Sequence, residues 1–206
     1  MSVQEYPPPD ALIPEGDEWT KDTEDTVPNT SGTTYPRYKH TITGAPYGNG
    51  EYVAWTNSKF KDNESWPPSG AFDKRDATGT DGKGWHNKEE IYSADTDAST
   101  PAYLVVTLPE KIRLRAYSFT ARTKCCLDQH PRKWVLHGSN DDGITWSFIH
   151  IRRNQDSSGL GRTRSYNVRV TPTYSTYRWT INGIFFSQMA MHIFTLVKLD
   201  FLGYTN

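Results

Sequence analysis

The chain has 206 residues, of which 35% are hydrophobic and 13% aromatic, and its formal net charge is -1. That length suits one β-sandwich of roughly 150 residues with an extension. No run of 18 apolar residues is present, which excludes a membrane-spanning helix. The near-zero charge argues against broad electrostatic binding to nucleic acid. The composition therefore predicts a globular protein.

The first segment is acidic and rich in proline. Residues 1–30 carry eight acidic residues against one basic residue, so this segment has a charge of -7 and the remainder +6. Few of its residues offer side chains for burial, and such a stretch cannot offset its ordering entropy alone. We predict an extended arm over residues 1–45, followed by a domain over residues 46–206. The arm is either a disordered leader or a segment that orders on a basic surface of its own or a neighbouring subunit.

Beyond residue 50 the sequence has a pattern of short strands separated by turns. Alternating or β-branched runs predict strands at residues 103–108, 112–120, 133–137, 144–150, 177–182 and 196–202, with Pro109-Glu110 ending the first. No run of 12 residues has an uninterrupted helical period. This pattern predicts an all-β fold, an antiparallel β-sandwich or jelly roll. Trp134, Trp146 and Trp179 are expected in its core.

Two features bear on chemistry without indicating catalysis. Cys125 and Cys126 are adjacent and are the only cysteines, so no long-range disulfide is available and we interpret them as two thiols in a loop. Their lack of a disulfide fits a reducing compartment. No nucleophile elbow, no HExxH and no recognisable pair of carboxylates occurs, so we expect a protein that is not an enzyme.

Several segments, in order, resemble one family. They are Gly70-Ala-Phe-Asp73, Gly84-Trp-His86, the run at 102–108, Pro131-Arg-Lys-Trp-Val-Leu-His-Gly-Ser-Asn-Asp-Asp-Gly143 with Thr145-Trp146, Tyr177-Arg178, and the run at 197–203. Together they resemble discoidin-type (coagulation factor 5/8 type C) domains and the related family 32 carbohydrate-binding modules. The resemblance spans roughly residues 50–204. It implies a galactose-binding-like jelly roll used for adhesion and ligand binding.

The resemblance also implies a ligand site on the loops at one end of the sandwich. Sugars suit such a site because polar side chains bind their hydroxyls and aromatic rings stack on their C–H faces. The sequence departs from the family at Glu89, where many sugar binders have an aromatic residue; Tyr92 is a candidate substitute. Each position also has a structural interpretation as a buried, hydrogen-bonded or surface side chain. The implied ligand-binding residues are His86, Tyr92, Arg122, Asp128, Phe185 and Phe186.

A structural calcium ion is a further implication of the family. Asp73, Asp76 and Thr78 offer hard oxygen ligands at suitable spacing. Lys198 stands where bacterial calcium-binding members usually have a Glu, and its ammonium group argues against a divalent cation. The two features leave calcium binding open.

Two functional hypotheses follow. The first is a binding module for a cell-surface glycan or glycoconjugate. The second is a structural component of a virion or phage particle, such as a tail, fibre or decoration protein, whose N-terminal arm contacts other subunits. A virion that displays a lectin-like domain for host attachment would satisfy both. The first residues have neither the basic nor the apolar region of a secretory signal. We therefore expect a particle component or a protein made in the cytoplasm that acts at a cell surface.

Overall fold

A computed structural model gives the structure of this chain. It describes residues 4–6, 19–28, 34–57, 67–72, 85–86, 101–120, 131–155, 163–169, 171–184, 195–196 and 198–204. These residues contain twelve strands and one short 3-10 helix, Pro68–Ala71. The strands are β1 (Gln4–Tyr6), β2 (Thr20–Pro28), β3 (Thr34–Ile42), β4 (Gly50–Thr56), β5 (Trp85–His86), β6 (Ala102–Thr120), β7 (Pro131–Ser139), β8 (Ser147–Arg152), β9 (Thr163–Asn167), β10 (Tyr174–Ile184), β11 (Thr195–Leu196) and β12 (Lys198–Tyr204).

The strands form two antiparallel layers that share β6. The first layer has the order β2-β3-β4-β6-β10-β7-β8. In the second layer β6 pairs with β9 on one side and β12 on the other, and β12 also pairs with β1. Each segment predicted as a strand in the second half of the chain contains strand residues, although β8 begins at Ser147 and not at Ile144, and the all-β sandwich prediction is confirmed. No helix in the described part of the chain is long and apolar enough to cross a membrane.

The prediction that a strand ends at Pro109-Glu110 is wrong. The structure has one strand of 19 residues there, whose first half pairs with β4 and β10 and whose second half pairs with β9 and β12. Opposite Pro109, the register of β10 shifts between Tyr174 and Thr176. Pro109 packs tightly on Gly50, where an added Cβ would lie 2.6 Å from the proline Cβ. Because proline has no N–H for the ladder, it sits where the strand changes partners.

The core lies between the layers and consists largely of aromatic side chains. Trp134 and Trp179 have 0% and 1% of their surface exposed, which confirms their predicted burial. Tyr117 and Phe119 on the second half of β6 pack on them, with ring centroids 5.8 Å apart for Tyr117–Trp179 and 5.0 Å for Phe119–Trp134. The alternating strands place one side-chain set here and the other on the outer faces.

The first 45 residues contribute strands to both layers. Tyr6 on β1 is fully buried and Trp19 is 9% exposed, and β3 lies between β2 and β4 in the first layer. The domain boundary suggested at residue 45 therefore does not coincide with the edge of the sheet. The sequence suggested a boundary at residue 45 because proline and acidic residues dominate the first segment. Its few aromatic side chains nevertheless supply buried anchors.

The acidic strand β2 pairs with basic residues of its own chain. Lys39 Nζ on β3 lies 2.8 Å from an Asp22 oxygen and 3.3 Å from an Asp25 oxygen. Asp22 also accepts hydrogen bonds from the backbone N–H groups of Glu24 and Asp25, which shape an irregularity in β2. The hydrogen bond from Lys39, followed by these backbone hydrogen bonds, lowers the pKa of Asp22 to about 2. Such ion pairs between acidic residues of β2 and a lysine of β3 agree with the alternative in which the acidic segment orders on a basic surface of its own chain.

Candidate ligand-binding site

Several strands begin or end together at one end of the sandwich. Ile184, the last residue of β10, pairs with Pro131, the first residue of β7. Phe119, next to the end of β6, packs on Trp134 near the start of β7, so the second half of β6 folds back to that same end. Thr120 of β6 pairs with the first residue of β12. The connections after β6 and β10 and before β7 therefore leave the described sandwich at one end.

Four of the residues implied by the family resemblance belong to these connections: Arg122 and Asp128 lie between β6 and β7, and Phe185 and Phe186 follow β10. His86 is described only as part of β5, whose backbone pairs with β11 through Thr195. Lys198 begins β12 and pairs with Thr120 of β6. The others fall outside the described residues: the ligand-binding candidates Tyr92, Arg122, Asp128, Phe185 and Phe186, the departure at Glu89, the calcium candidates Asp73, Asp76 and Thr78, and the thiols of Cys125 and Cys126. Their roles stay predictions.

A concavity lies on the outer face of the first layer. This pocket, called here the outer-face pocket, has a volume of about 170 Å³. Its floor is apolar, since Val105 is fully buried and Trp55 is 3% exposed. Charged side chains form its rim. Its lining residues are Val27, Arg37, Trp55, Tyr103, Val105, Asp142, Gly143, Trp146 and Arg178.

Strand register places the floor and one wall of this pocket. Across the first layer, Trp55 on β4 pairs with Val105 on β6, which pairs with Arg178 on β10. Arg178 in turn pairs with His137 on β7. Neighbouring residues on each strand point into the core, so this row of four residues lies on the outer face. The row is an aromatic and cationic surface fixed by main-chain hydrogen bonds.

The hairpin between β7 and β8 supplies the other wall. Asp141 organises its turn: the carboxylate accepts hydrogen bonds from the hydroxyls of Ser139 and Thr145, each at 2.6 Å, and these bonds lower its pKa to about 2. Asp142 and Gly143 follow with φ angles of 54° and 84°. The left-handed turn folds the chain back over the outer face, where Gly143 lies against the ring of Trp146.

The predicted core position of Trp146 is wrong. Its indole is partly exposed and packs with Val53, Trp55 and Val105 in a small apolar cluster separate from the main core. The side chain folds over its hairpin towards the solvent face of the sheet. Trp146 lies outside the alternating part of β8, because β8 begins at Ser147 and no strand register directs its ring inwards.

Two arginines stack on the aromatic residues of the pocket but differ in their charge partners. The guanidinium carbon of Arg37 lies 4.2 Å from the ring centroid of Trp55, and that of Arg178 lies 4.2 Å from Trp146. Arg37 also pairs with Asp142 at 2.7 Å and has its Nε 3.2 Å from Asp25, an ion contact without an aligned hydrogen bond. Within the described residues no carboxylate pairs with Arg178.

Burial affects the titrating groups near Arg178. It lowers the pKa of Arg178 itself, although an arginine remains protonated at neutral pH. Burial, followed by the Arg178 charge, lowers the pKa of His137. Burial raises the pKa of Tyr103, and the two arginine charges partly counteract this effect. At neutral pH the pocket therefore holds charged arginines beside the neutral phenol of Tyr103, and the imidazole of His137, which pairs with Arg178 across the strands, is neutral.

Sequence reasoning did not identify the outer-face pocket. It treated Tyr177-Arg178 only as part of the family resemblance and did not consider Trp55, Tyr103 or Arg37. Part of the signal was present in the alternation of β6, where Tyr103 and Val105 fall on the face opposite Leu104. The approach of the hairpin to β3 and β4 is a long-range contact, and the sequence pattern contains no information about it.

Comparison with known proteins identifies the fold. No protein-family model matches the chain, and no curated protein matches its sequence. A family 32 carbohydrate-binding module from Clostridium perfringens, in complex with GalNAc-β-1,3-galactose, is similar with a TM-score of 0.53 and 16% identity, over 73% of this chain and 94% of that one. A fucolectin from striped bass (Morone saxatilis) serum has a TM-score of 0.55 and 15% identity, over 73% and 46%. A factor 5/8 type C domain from Bacteroides fragilis has a TM-score of 0.55 and 8% identity, over 75% and 93%.

These likenesses define the class. The chain has the galactose-binding-like β-sandwich fold of discoidin-type domains and family 32 carbohydrate-binding modules, as the sequence resemblance implied. Identities this low establish the fold, whereas function depends on the side chains of the site.

Proposed function

We propose that this protein is a non-catalytic carbohydrate-binding module whose ligand site lies on the loop end of the sandwich. The observation that carries the proposal is the convergence of β6, β7 and β10 at that end. It brings together the flanks of the segments that contain Arg122, Asp128, Phe185 and Phe186. Known structures with this fold support it, because the Clostridium perfringens module is in complex with GalNAc-β-1,3-galactose.

The candidate residues have complementary chemistry for a sugar. An imidazole, a guanidinium and a carboxylate, from His86, Arg122 and Asp128, donate to and accept from ring hydroxyls. The rings of Phe185 and Phe186 offer apolar faces to sugar C–H groups, and Tyr92 adds a further ring. A single such site binds weakly, so adhesion to a cell surface requires several copies presented together.

A glycan array tests this proposal. The full chain is presented multivalently beside His86→Ala, Arg122→Ala and the control Arg153→Ala, which removes an exposed arginine directly after β8. We expect specific binding that both loop-end variants lose and the control keeps, with unchanged circular dichroism in all. Absence of binding to every glycan, or equal binding by all the variants, would contradict the proposal.

Display on a larger assembly is the second candidate. The observation that favours it is the acidic edge strand β2, whose outer edge has no partner strand in the described sheet. Edge strands of this kind are common sites for pairing with another chain. Light scattering of the full chain distinguishes the cases: a monomer at all concentrations opposes self-assembly through this edge. The calcium site formed by Asp73, Asp76 and Thr78 stays a separate prediction, tested by thermal melts with added Ca²⁺.

A further inference from the structure

The outer-face pocket contains a cation whose charge is not neutralised by the described residues. Arg178 stacks over Trp146 at 4.2 Å and lies 5.8 Å from the ring of Tyr103. Its Nε is buried without a hydrogen-bond partner. An unpaired cation on a half-buried surface is costly unless a ligand or solvent completes its coordination.

Arg37 provides an internal comparison in the same pocket. It also stacks on an indole, that of Trp55, but Asp25 and Asp142 balance its charge. Its contacts account for a structural role, since they join β2, β3 and the hairpin. Arg178 has the same stacking without the acids. The charged residues that line the pocket are Arg37, Arg178 and Asp142, and their net charge of +1 favours an anionic ligand.

The chemistry of the site narrows the class of anion. An arginine stacked by its face on an indole keeps its in-plane N–H groups for a bidentate partner, and a carboxylate matches that fork. The volume of about 170 Å³ is equivalent to some five or six waters at roughly 30 Å³ each. It is smaller than the 300–1,000 Å³ of typical drug-sized sites, and the aromatic walls suit the C–H face of one small ring.

We propose that the outer-face pocket is a second ligand site, which binds a carboxylate-bearing monosaccharide unit through Arg178, with the rings of Trp146 and Tyr103 contacting the sugar. The proposal rests on the proposed carbohydrate-binding function but uses a different surface from the loop end. Two sites on one domain would bind an acidic glycan chain at two points and raise its apparent affinity.

Titration of the full ¹⁵N-labelled chain tests the second site. The probes are galacturonate, its neutral counterpart galactose, and acetate, and the readout is the indole N–H signals assigned to Trp146 and Trp55. We expect galacturonate to shift these signals saturably. Galactose should bind at least about tenfold more weakly, because it lacks the carboxylate that bonds to the charged group, and acetate should bind at least about tenfold more weakly, because it lacks the ring contacts. Variants are Arg178→Gln, Arg178→Lys and the control Arg153→Gln.

The outcomes separate the two sites. We expect Arg178→Gln to abolish the shifts. Arg178→Lys should weaken galacturonate binding at least about tenfold, because a lysine lacks the bidentate fork of the guanidinium group. Arg153→Gln and Arg122→Ala should leave the shifts unchanged. Thermal melts verify that each variant is folded. Equal shifts with acetate would overturn the sugar site and leave a simple anion site. Shifts lost in Arg122→Ala but kept in Arg178→Gln would overturn the second site and retain the loop-end function. Absence of any saturable shift would overturn the second site, whatever the glycan array shows.

Discussion

The hydroxyl of Tyr117 holds a buried polar chain within the aromatic core. Trp134 Nε1 donates to this hydroxyl at 2.7 Å, and the hydroxyl lies 3.1 Å from His150 Nδ1. In the tautomer of the neutral imidazole that carries its proton on Nε2, the hydroxyl donates to Nδ1. Tyr117→Phe leaves the fully buried indole N–H without an acceptor, at about 1–3 kcal/mol, and removes one further hydrogen bond at about 0.5–1.5 kcal/mol. We expect a loss of about 3 kcal/mol in the free energy of unfolding.

Urea unfolding followed by circular dichroism measures this loss. For a chain of this size, about 3 kcal/mol corresponds to a fall in Tm of roughly 6–12 °C. Tyr174→Phe is the matched control, because Tyr174 is 8% exposed and its hydroxyl makes no hydrogen bond in the described part of the structure. A loss below about 0.5 kcal/mol in Tyr117→Phe, or one no larger than in the control, would refute the reasoning.

Three further predictions concern acid stability, the hairpin and the edge of the sheet. Burial, followed by a neighbouring arginine, lowers the pKa of His150 to about 4, while the unfolded chain takes up this proton near pH 6.5. The unfolding free energy should therefore fall as the pH is lowered from about 6.5 to 4, by up to about 3 kcal/mol. Denaturation at pH 7, 5 and 4 measures this change, and the unfolding free energy of His150→Gln should depend less steeply on pH. Gly143→Ala should lower the unfolding free energy by about 1–3 kcal/mol, because the residue has a φ of 84° and the new Cβ would lie 2.8 Å from the Trp146 ring. The same contact should shift the tryptophan fluorescence, and unchanged fluorescence would contradict this prediction. Arg37→Ala should cost about 1–2 kcal/mol, because it removes the ion contacts and the stacking on Trp55, and it should accelerate hydrogen exchange in β2. Equal exchange in both proteins would show that the contact between Arg37 and Asp25 does not hold this edge.

The contrast between two tryptophans shows how far the sequence predicts this fold. Trp134 lies in a strand with alternating residues, so its burial follows from periodicity alone. Trp146 lies in the turn before a strand, where no period applies, and its position depends on the positive φ angles of Asp142 and Gly143. Regular elements were therefore predictable, whereas the turn that forms one wall of the outer-face pocket was not.

Distant contacts explain the other differences. Local composition suggested an arm over the first 45 residues, because proline and acidic residues outnumber apolar ones there. The burial of Tyr6 depends on its pairing with Phe201 at the other end of the chain, which no local pattern reveals. The loop-end residues were inferred from family resemblance. The sequence does not reveal that Arg178 lies among aromatic rings without a carboxylate partner in the described part of the structure.

The shared strand β6 determines how the sandwich unfolds. One strand supplies hydrogen bonds to β4 and β10 in the first layer and to β9 and β12 in the second. Opening either layer at β6 therefore removes a central strand from the other, and neither layer retains a complete sheet of its own. Unfolding should proceed as one cooperative transition, in which the central amides of both layers exchange with the same opening free energy.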